Sequence, residues 1–357
     1  MRAYTLSPDR ATVKINQNEN PVDAPERIKR ETLRRLSARE WSRYPDFVPA
    51  SLCERLAKFS GWKPDGIIAG NGSNELIQAL LLVTVAAGKR VLISEPTFAL
   101  YRQITTVLGG AIQTLPLTSD LQFDTAALQR EIENTQPDVT IICSPNNPTG
   151  CVISDEELTN LLRAARGLVV IDEAYHEFAA PGSPAGLPGW GGGHSVVPLL
   201  QDHENLVVLR TFSKAMAMAA LRLGYLLTAP ELAREISKAV LPYNLNAFSQ
   251  TAAEVAIEMY EDELRPLVSR IVTERERLYS ELGNINGLRP VRSQGNFMVV
   301  RSTLEPKQIF AELLKRDILI RDVSGYPMLR DYFRVSVGTP AENDLLIPAL
   351  REILKRI

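Results

Sequence analysis

Short apolar runs alternate with amphipathic stretches through the first two-thirds of the chain. Gly66–Gly70, Arg90–Ser94 (RVLIS), Val139–Ser144 (VTIICS), Leu168–Asp172 (LVVID) and Leu206–Thr211 (LVVLRT) are almost wholly apolar. Runs of this kind predict strands of a parallel sheet covered on both faces. Between them, Glu75–Ala87, Tyr101–Leu108 and Asp155–Arg166 are the helical stretches, and Ser154 is a suitable N-cap for the last. Trp41 to about Asn246 therefore reads as one large α/β domain.

Both ends differ from this pattern. Pro25–Glu40 (PERIKRETLRRLSARE) is densely charged, with Ile28, Leu33 and Leu36 as a thin apolar stripe. Trp41–Pro49 (WSRYPDFVP) is a loop marked by its prolines. Ser249–Leu282 predicts one long or kinked helical region. Asn296–Arg301, Ile318–Arg321 and Phe333–Val337 predict strands, Pro306–Arg316 a helix, and a last helix runs through Ile357. A smaller α+β domain over 247–357 is expected, with residues 1–40 as an arm and helix packed against it. Ala180–Gly193 (APGSPAGLPGWGGG) is rich in Gly and Pro and is either a mobile lid or an insertion of no consequence.

Composition narrows the function classes. A chain of 357 residues suits about two domains. Lys and Arg total 40 against 42 Asp and Glu, a formal net charge of -2. That balance carries no footprint for nucleic acid and no polybasic membrane signal, so small-molecule ligands are expected. Cys53, Cys143 and Cys151 form no CxxC pair, and with 3 His no zinc or other metal site is expected. Unpaired thiols suit a reducing cytosol, so a cytoplasmic location is expected. The start, MRAYTLSPDR, lacks the apolar core of a signal peptide. The best apolar run, Leu76–Ala87, is interrupted by Gln78 and Thr84 and falls short of the ~20 residues of a membrane span.

Ligands of an open parallel sheet gather beyond the carboxyl ends of its strands. Gly70-Asn71-Gly72-Ser73-Asn74 follows the first run, and Pro145-Asn146-Asn147-Pro148-Thr149-Gly150 follows VTIICS. Asp172, Glu173, Ala174 and Tyr175 follow LVVI. Thr211, Phe212, Ser213 and Lys214 follow LVVLR, with Arg222 close behind. GNGSN precedes a helix, whose free N–H groups can hold a phosphate, and Thr211, Ser213 and Arg222 add donors to the same anion. Lys214 is a nucleophilic amine if burial lowers its pKa. Asp172 can pair with a protonated heterocyclic nitrogen. Each motif alone also suits an ordinary turn or cap. Their shared location is what fits pyridoxal phosphate, whose aldehyde, ring nitrogen and phosphate require a lysine, an acid and an anion site.

The ordered set NENP (18–21), RYPD (43–46), GNGSNE (70–75), PTFALY (96–101), SPNNPTG (144–150), DEAY (172–175), TFSKA (211–215) with ALRLGY (220–225), and FRVSVGT (333–339) resembles histidinol-phosphate aminotransferases. These are a branch of the class II pyridoxal-phosphate-dependent aminotransferases with the type I fold. The resemblance implies a large domain with a mostly parallel sheet and a smaller α+β domain. It implies that Lys214, Asp172 and Tyr175 are catalytic, with Lys214 bonding the cofactor aldehyde and Asp172 facing the ring nitrogen. Tyr175 and Asn147 would bond the ring hydroxyl. Phe98 stands where a stacking Tyr is usual. Gly72, Ser73, Asn74, Thr211, Ser213 and Arg222 would cradle the phosphate. Arg321, Arg334, Asn18 and Tyr4 fall on the substrate side. Tyr44 would reach the site of a neighbouring subunit, which implies a homodimer.

The implied reaction is ping-pong transamination of L-histidinol phosphate with 2-oxoglutarate, giving imidazole acetol phosphate and L-glutamate. Alternatives in the same fold are an aromatic amino-acid or specialised-pathway transaminase and a threonine-phosphate decarboxylase. A non-catalytic cofactor-binding regulator is a further alternative, against which the retained Lys214 argues. Two departures bear on substrate identity: the long 180–193 segment and Ala220 where a Gly is common.

Overall fold

The computed structural model describes residues 9–179 and 195–355; Tyr4, the segment 180–193 and the end of the last helix at 356–357 lie outside the described residues. The chain opens with strand β1 (Val13–Lys14) and helix α1 (Glu26–Ser37), and α2 (Ala50–Ser60) leads into β2 (Ile67–Gly70) and α3 (Ser73–Thr84). Then follow β3 (Arg90–Glu95), α4 (Leu100–Val107), β4 (Ala111–Pro116), α5 (Thr125–Thr135), β5 (Val139–Cys143) and α6 (Asp155–Ala164). Next come β6 (Leu168–Asp172), β7 (Leu206–Thr211), β8 (Gly224–Thr228) and α7 (Pro230–Ser237). Strands β2 to β8 form one seven-stranded sheet in the order β2-β8-β7-β6-β5-β3-β4. Strands β3 to β7 are mutually parallel, and β8 runs against both β7 and β2. β2 therefore points the same way as β7, and the mostly parallel sheet expected from the apolar runs is present.

The runs did not reveal β4 or β8. β4 is an edge strand with no fully buried residue, so it carries no continuous apolar signal. α6 begins where its cap predicts: Ser154 Oγ accepts the Glu157 N–H, and the Glu157 carboxylate accepts the Ser154 N–H.

Side chains of the sheet alternate between two apolar layers. Val169, Ile171, Val208 and Tyr225 face one layer, with residues of α2, α5 and α6. Val170, Cys143, Val207 and Leu209 face the other, with residues of α3, α4 and α7. The two-residue period then sorts the strand ends. Asp172 and Thr211 fall on the α3/α4 side, and Arg210 falls on the opposite side. There Arg210 Nε donates to Glu173 Oε2 at 2.9 Å, with both side chains buried. The Ser195 hydroxyl donates to the same carboxylate oxygen at 3.1 Å, and the Val196 N–H donates to the other at 2.6 Å. Arg210 also donates to the Tyr225 hydroxyl at 3.3 Å.

After this sheet come α8 (Ala247–Glu258), a π-helical turn (Tyr260–Leu264) and α9 (Arg265–Gly283). This is the kinked version of the expected helical region, with Pro266 at the start of α9, where no N–H is needed. Then come β9 (Leu288–Pro290), β10 (Phe297–Ser302), α10 (Pro306–Leu314), β11 (Ile318–Leu319), β12 (Arg321–Asp322), β13 (Tyr332–Ser336) and α11 (Pro340–Lys355). β12-β13-β10-β9 is a four-stranded antiparallel sheet. The expected Ile318–Arg321 strand is divided: β11 pairs in parallel with β1, and β12 joins the four-stranded sheet.

The expected packing of residues 1–40 against the C-terminal layer needs correction. β1 does so, and Val13 and Ile15 enter the C-terminal core. α1 instead lies against α8, and its Ile28 sits in the core beneath the seven-stranded sheet. α8, placed beyond the expected boundary at 246, contributes Ala252, Ala253, Val255 and Ala256 to that same core. Small residues let the α1 backbone approach closely, and the Arg35 guanidinium reaches Glu258 at 2.6 Å. Leu33 of the expected stripe is left exposed.

The Arg210–Glu173 pair generates a stability prediction. Arg210→Met leaves a buried carboxylate without its cation and should lower unfolding free energy by about 3–5 kcal/mol. Adding Glu173→Leu should return most of that loss in urea titration.

Candidate active site

The carboxyl ends of β2, β5, β6 and β7 meet at a cavity of about 440 Å³. Its wall is completed by residues 16–19 of the arm and by Arg321 and Arg334 from the four-stranded sheet.

One part of the wall suits an anion. Ser73 and Asn74 occupy the first turn of α3, whose N–H groups are not bonded within the helix. Gly72 precedes them at φ +86°, and a Cβ there would lie 2.6 Å from Arg222 Nη2. Only glycine gives the guanidinium that approach. Arg222 Nη1 donates to Ser213 Oγ at 3.3 Å, and the Thr211 hydroxyl donates to Ser213 Oγ at 3.0 Å. A guanidinium, two hydroxyls and a helix N-terminus thus converge, the donor set of a phosphate site.

Asp172 ends β6 and is only 3% exposed. Its Oδ2 accepts the Tyr101 hydroxyl at 2.6 Å, and its Oδ1 accepts the Ala174 N–H at 3.0 Å. Burial pushes its pKa up. Among the described residues no lysine or arginine pairs with it. A buried acid on a cavity wall without its own cation matches a ligand that brings one.

Lys214 Nζ donates to the Gln17 carbonyl at 2.9 Å and lies 5.9 Å from the Tyr175 ring centroid. Burial first, and the Arg334 charge second, lower its pKa to about 8. The amine is therefore available near neutral pH. The Tyr175 hydroxyl accepts from Asn18 Nδ2 at 3.1 Å and from Asn147 Nδ2 at 3.3 Å. Asn147 Oδ1 accepts from Arg334 Nη1 at 2.6 Å, so one amide links the phenol to the arginine. Arg334 Nη2 also donates to the Asn16 carbonyl at 2.8 Å. Arg321 sits opposite Arg334 in the β12–β13 register, and both face the cavity.

The structure thus brings together Ser73, Asn74, Phe98, Asn147, Asp172, Tyr175, Thr211, Ser213, Lys214, Arg222, Arg321, Arg334 and Asn18. Gly72 stands behind the wall as the hinge of the cradle. Asn18 lines the cavity, but its side chain is engaged with Tyr175 and Ser336. Tyr44 is not in this chain's cavity: it is 80% exposed and stacks on Tyr243 at 4.6 Å. Tyr4 lies outside the described residues.

Sequence reasoning assigned no role to Asn16, Gln17, Glu19, Cys143 or Tyr101. The arm residues reach the site mainly through backbone carbonyls, which no motif reports. Cys143 had a signal: it ends its strand in register with Asp172.

The chain matches the family described as aminotransferase class I and II over residues 10–350. The histidinol-phosphate aminotransferase of Chlorobium phaeobacteroides is 36% identical over 352 residues, 98% of this chain and 94% of that protein. Histidinol-phosphate aminotransferase 1 of Carboxydothermus hydrogenoformans is 39% identical over 345 residues, 96% of this chain and 93% of that protein. Among solved structures, the histidinol-phosphate aminotransferase of Clostridium acetobutylicum superposes with a TM-score of 0.86 at 26% identity, covering 97% of this chain and 100% of that one. The Sinorhizobium meliloti histidinol-phosphate aminotransferase in complex with pyridoxal-5'-phosphate gives 0.85 at 25% identity, covering 97% and 92%.

The lowered Lys214 pKa sets a pH profile. Trace acetylation of the chain, read by mass spectrometry, should show Lys214 reactivity rising with a midpoint near 8. Arg334→Gln removes a like charge and should move that midpoint upward. A midpoint near the ordinary lysine value of ~10.4 would contradict the site electrostatics.

Proposed function

The chain belongs to the class I and II aminotransferases, and from that premise we propose that it transfers an amino group between L-histidinol phosphate and 2-oxoglutarate, with pyridoxal 5'-phosphate as cofactor. One observation carries the reading. The acid Asp172 and the amine Lys214 share a cavity with an anion cradle from one sheet and two arginines from the other. The cradle fits the cofactor phosphate, the Asp172 carboxylate lacks a protein cation, and the Lys214 pKa is lowered to about 8. The second cationic group suits a substrate that is itself an anion.

Bound there, pyridoxal phosphate supplies an aldehyde that exchanges amino groups and a ring that withdraws electrons from the substrate Cα. The protein supplies the rest. Ser73, Asn74, Thr211, Ser213 and Arg222 hold the phosphate and fix the ring in the cavity. Asp172 holds a proton on the ring nitrogen. Tyr175, oriented by Asn18 and Asn147, offers its hydroxyl to the ring oxygen, and Phe98 offers an apolar face. With its pKa near 8, Lys214 would take a proton from the substrate Cα as general base and deliver it as general acid to the cofactor carbon C4′. Arg334 and Arg321 orient the substrate anion. Because guanidinium forks donate equally well to carboxylate and to phosphate, one pair of arginines serves both substrates in turn.

We read the working unit as a homodimer. Trp41, Tyr44, Phe47, Val48, Leu241, Tyr243 and Phe248 are all exposed aromatic or aliphatic side chains. Tyr44 stacks on Tyr243, and Phe47 meets the Tyr243 ring edge-on. An apolar surface of this kind suits a second copy of the chain, with Tyr44 reaching the neighbouring site. The free, buried Cys53, Cys143 and Cys151 suit a reducing compartment, which we take to be the cytoplasm. Among the described residues no helix is long and apolar enough to cross a membrane.

A panel of amino donors separates the substrates. With 2-oxoglutarate as acceptor, kcat/KM for histidinol phosphate should exceed that for phenylalanine by at least about 100-fold, as expected where two cavity-lining arginines await a phosphate. Equal or better rates with phenylalanine, or carbon dioxide release from threonine phosphate, would refute the substrate assignment.

Mixing tests the shared site. Tyr44→Ala and Lys214→Ala chains should each be impaired alone. After subunit exchange, roughly a quarter of wild-type activity should return, because half of the dimers carry one complete site. No recovery, despite demonstrated heterodimers, would place Tyr44 outside the neighbouring site.

A further inference from the structure

Asp172 has one partner that the proposed chemistry does not use. Tyr101, in the first turn of α4, donates its hydroxyl to Asp172 Oδ2 at 2.6 Å, and both side chains are buried. Tyr101 is not part of the cavity wall. Its ring lies edge-on to Phe98, with centroids 5.6 Å apart. Among the described residues it is the only side chain that donates to the Asp172 carboxylate; the other donor to that carboxylate is the Ala174 backbone. A phenol costs free energy to bury unless its hydroxyl is bonded, and a plain core contact needs no hydroxyl. The length of this bond is that of a charge-assisted O–H···O⁻ contact.

Two influences on Asp172 oppose each other. Burial, together with the neighbouring Glu173 charge, favours the neutral acid, and the donated hydrogen bonds favour the carboxylate. The other ionisable groups facing it, the Cys143 thiol and the Tyr101 and Tyr175 phenols, are held neutral by burial. The outcome matters because a proton between a carboxyl group and a pyridine nitrogen can reside on either. The pair is N–H⁺···O⁻ or N···H–O, with the same atoms and the same total charge.

We propose that Tyr101 is a positioning residue that keeps Asp172 ionised and aimed into the cavity, so that the proton stays on the cofactor ring nitrogen. The proposal rests on the pyridoxal phosphate reading above. Tyr101 touches neither substrate nor cofactor; it acts through the acid. Without its hydroxyl, Asp172 Oδ2 loses its side-chain donor, the carboxylate becomes more basic, and the shared proton moves onto Asp172.

The test reads the proton directly. The full chain is loaded with pyridoxal phosphate carrying ¹⁵N in the ring, and the nitrogen chemical shift is recorded at neutral pH. The wild-type chain should show the shift of a protonated pyridinium. Tyr101→Phe keeps the ring and its contact with Phe98, and should move the shift toward neutral pyridine. It should also weaken pyridoxal phosphate binding about tenfold, the scale of one hydrogen bond to a charged group. In an Asp172→Asn background the same change should alter affinity less than about twofold, because the coupling partner is gone. 4-Aminophenylalanine in place of Tyr101 retains a weaker N–H donor, and its shift should fall between wild type and pyridine even if the phenylalanine chain does not fold. A wild-type nitrogen shift in these Tyr101 variants overturns the proposal while leaving the cofactor reading intact. A wild-type chain that holds pyridoxal phosphate with an unprotonated ring nitrogen also overturns the proposal alone, whereas one that takes up no pyridoxal phosphate overturns both.

Discussion

The buried pair between Glu173 and Arg210 is the constraint on which the site depends. It joins the ends of β6 and β7 on the face away from the cavity. Alternation along each strand then leaves Asp172 and Thr211 no choice of direction. The acid proposed for a ring nitrogen and the hydroxyl proposed for a phosphate are set by a contact on the opposite face of the sheet. The pair is itself enclosed by Ser195, Val196 and Tyr225, so each charge keeps its partner in a setting where an unpaired one would be costly.

The cavity is cationic although the whole chain carries a formal charge of -2. Lys214, Arg222, Arg321 and Arg334 all line it. Their crowding has a consequence: the field of Arg334 acts with burial to lower the Lys214 pKa to about 8. One group thus serves two purposes. In the proposed reading it recognises an anion, and it keeps a neighbouring amine able to exchange protons.

Much of this was legible in the chain. The buried strands β3, β5, β6 and β7 announce themselves as apolar runs, and the groups at their ends follow from the sheet's polarity. The edge strand β4 was not legible because solvent on its side chains erases the apolar run. The division of Ile318–Arg321 between two sheets was hidden for another reason: a strand's partner is a tertiary choice, and local pattern does not encode it. The same holds for α1. Its thin stripe shows that it packs, and only the Ala-rich face of α8 shows where. Within the site, side chains were readable by type and order. Tyr101 was in plain view inside PTFALY, yet its meaning depends on a 2.6 Å contact to a residue far away in sequence.

The arm meets the two central cations through main-chain oxygens: Asn16 accepts from Arg334 and Gln17 accepts from Lys214. Every amino acid carries that oxygen. These contacts are therefore invisible to substitution, and natural variation at positions 16 and 17 can proceed without touching them. What can alter them is the route of the backbone, set by the β1–β11 pairing and by the left-handed turn at Asn18. Inheritance of this part of the site is a matter of path, written in the residues that steer the arm and not in those that arrive.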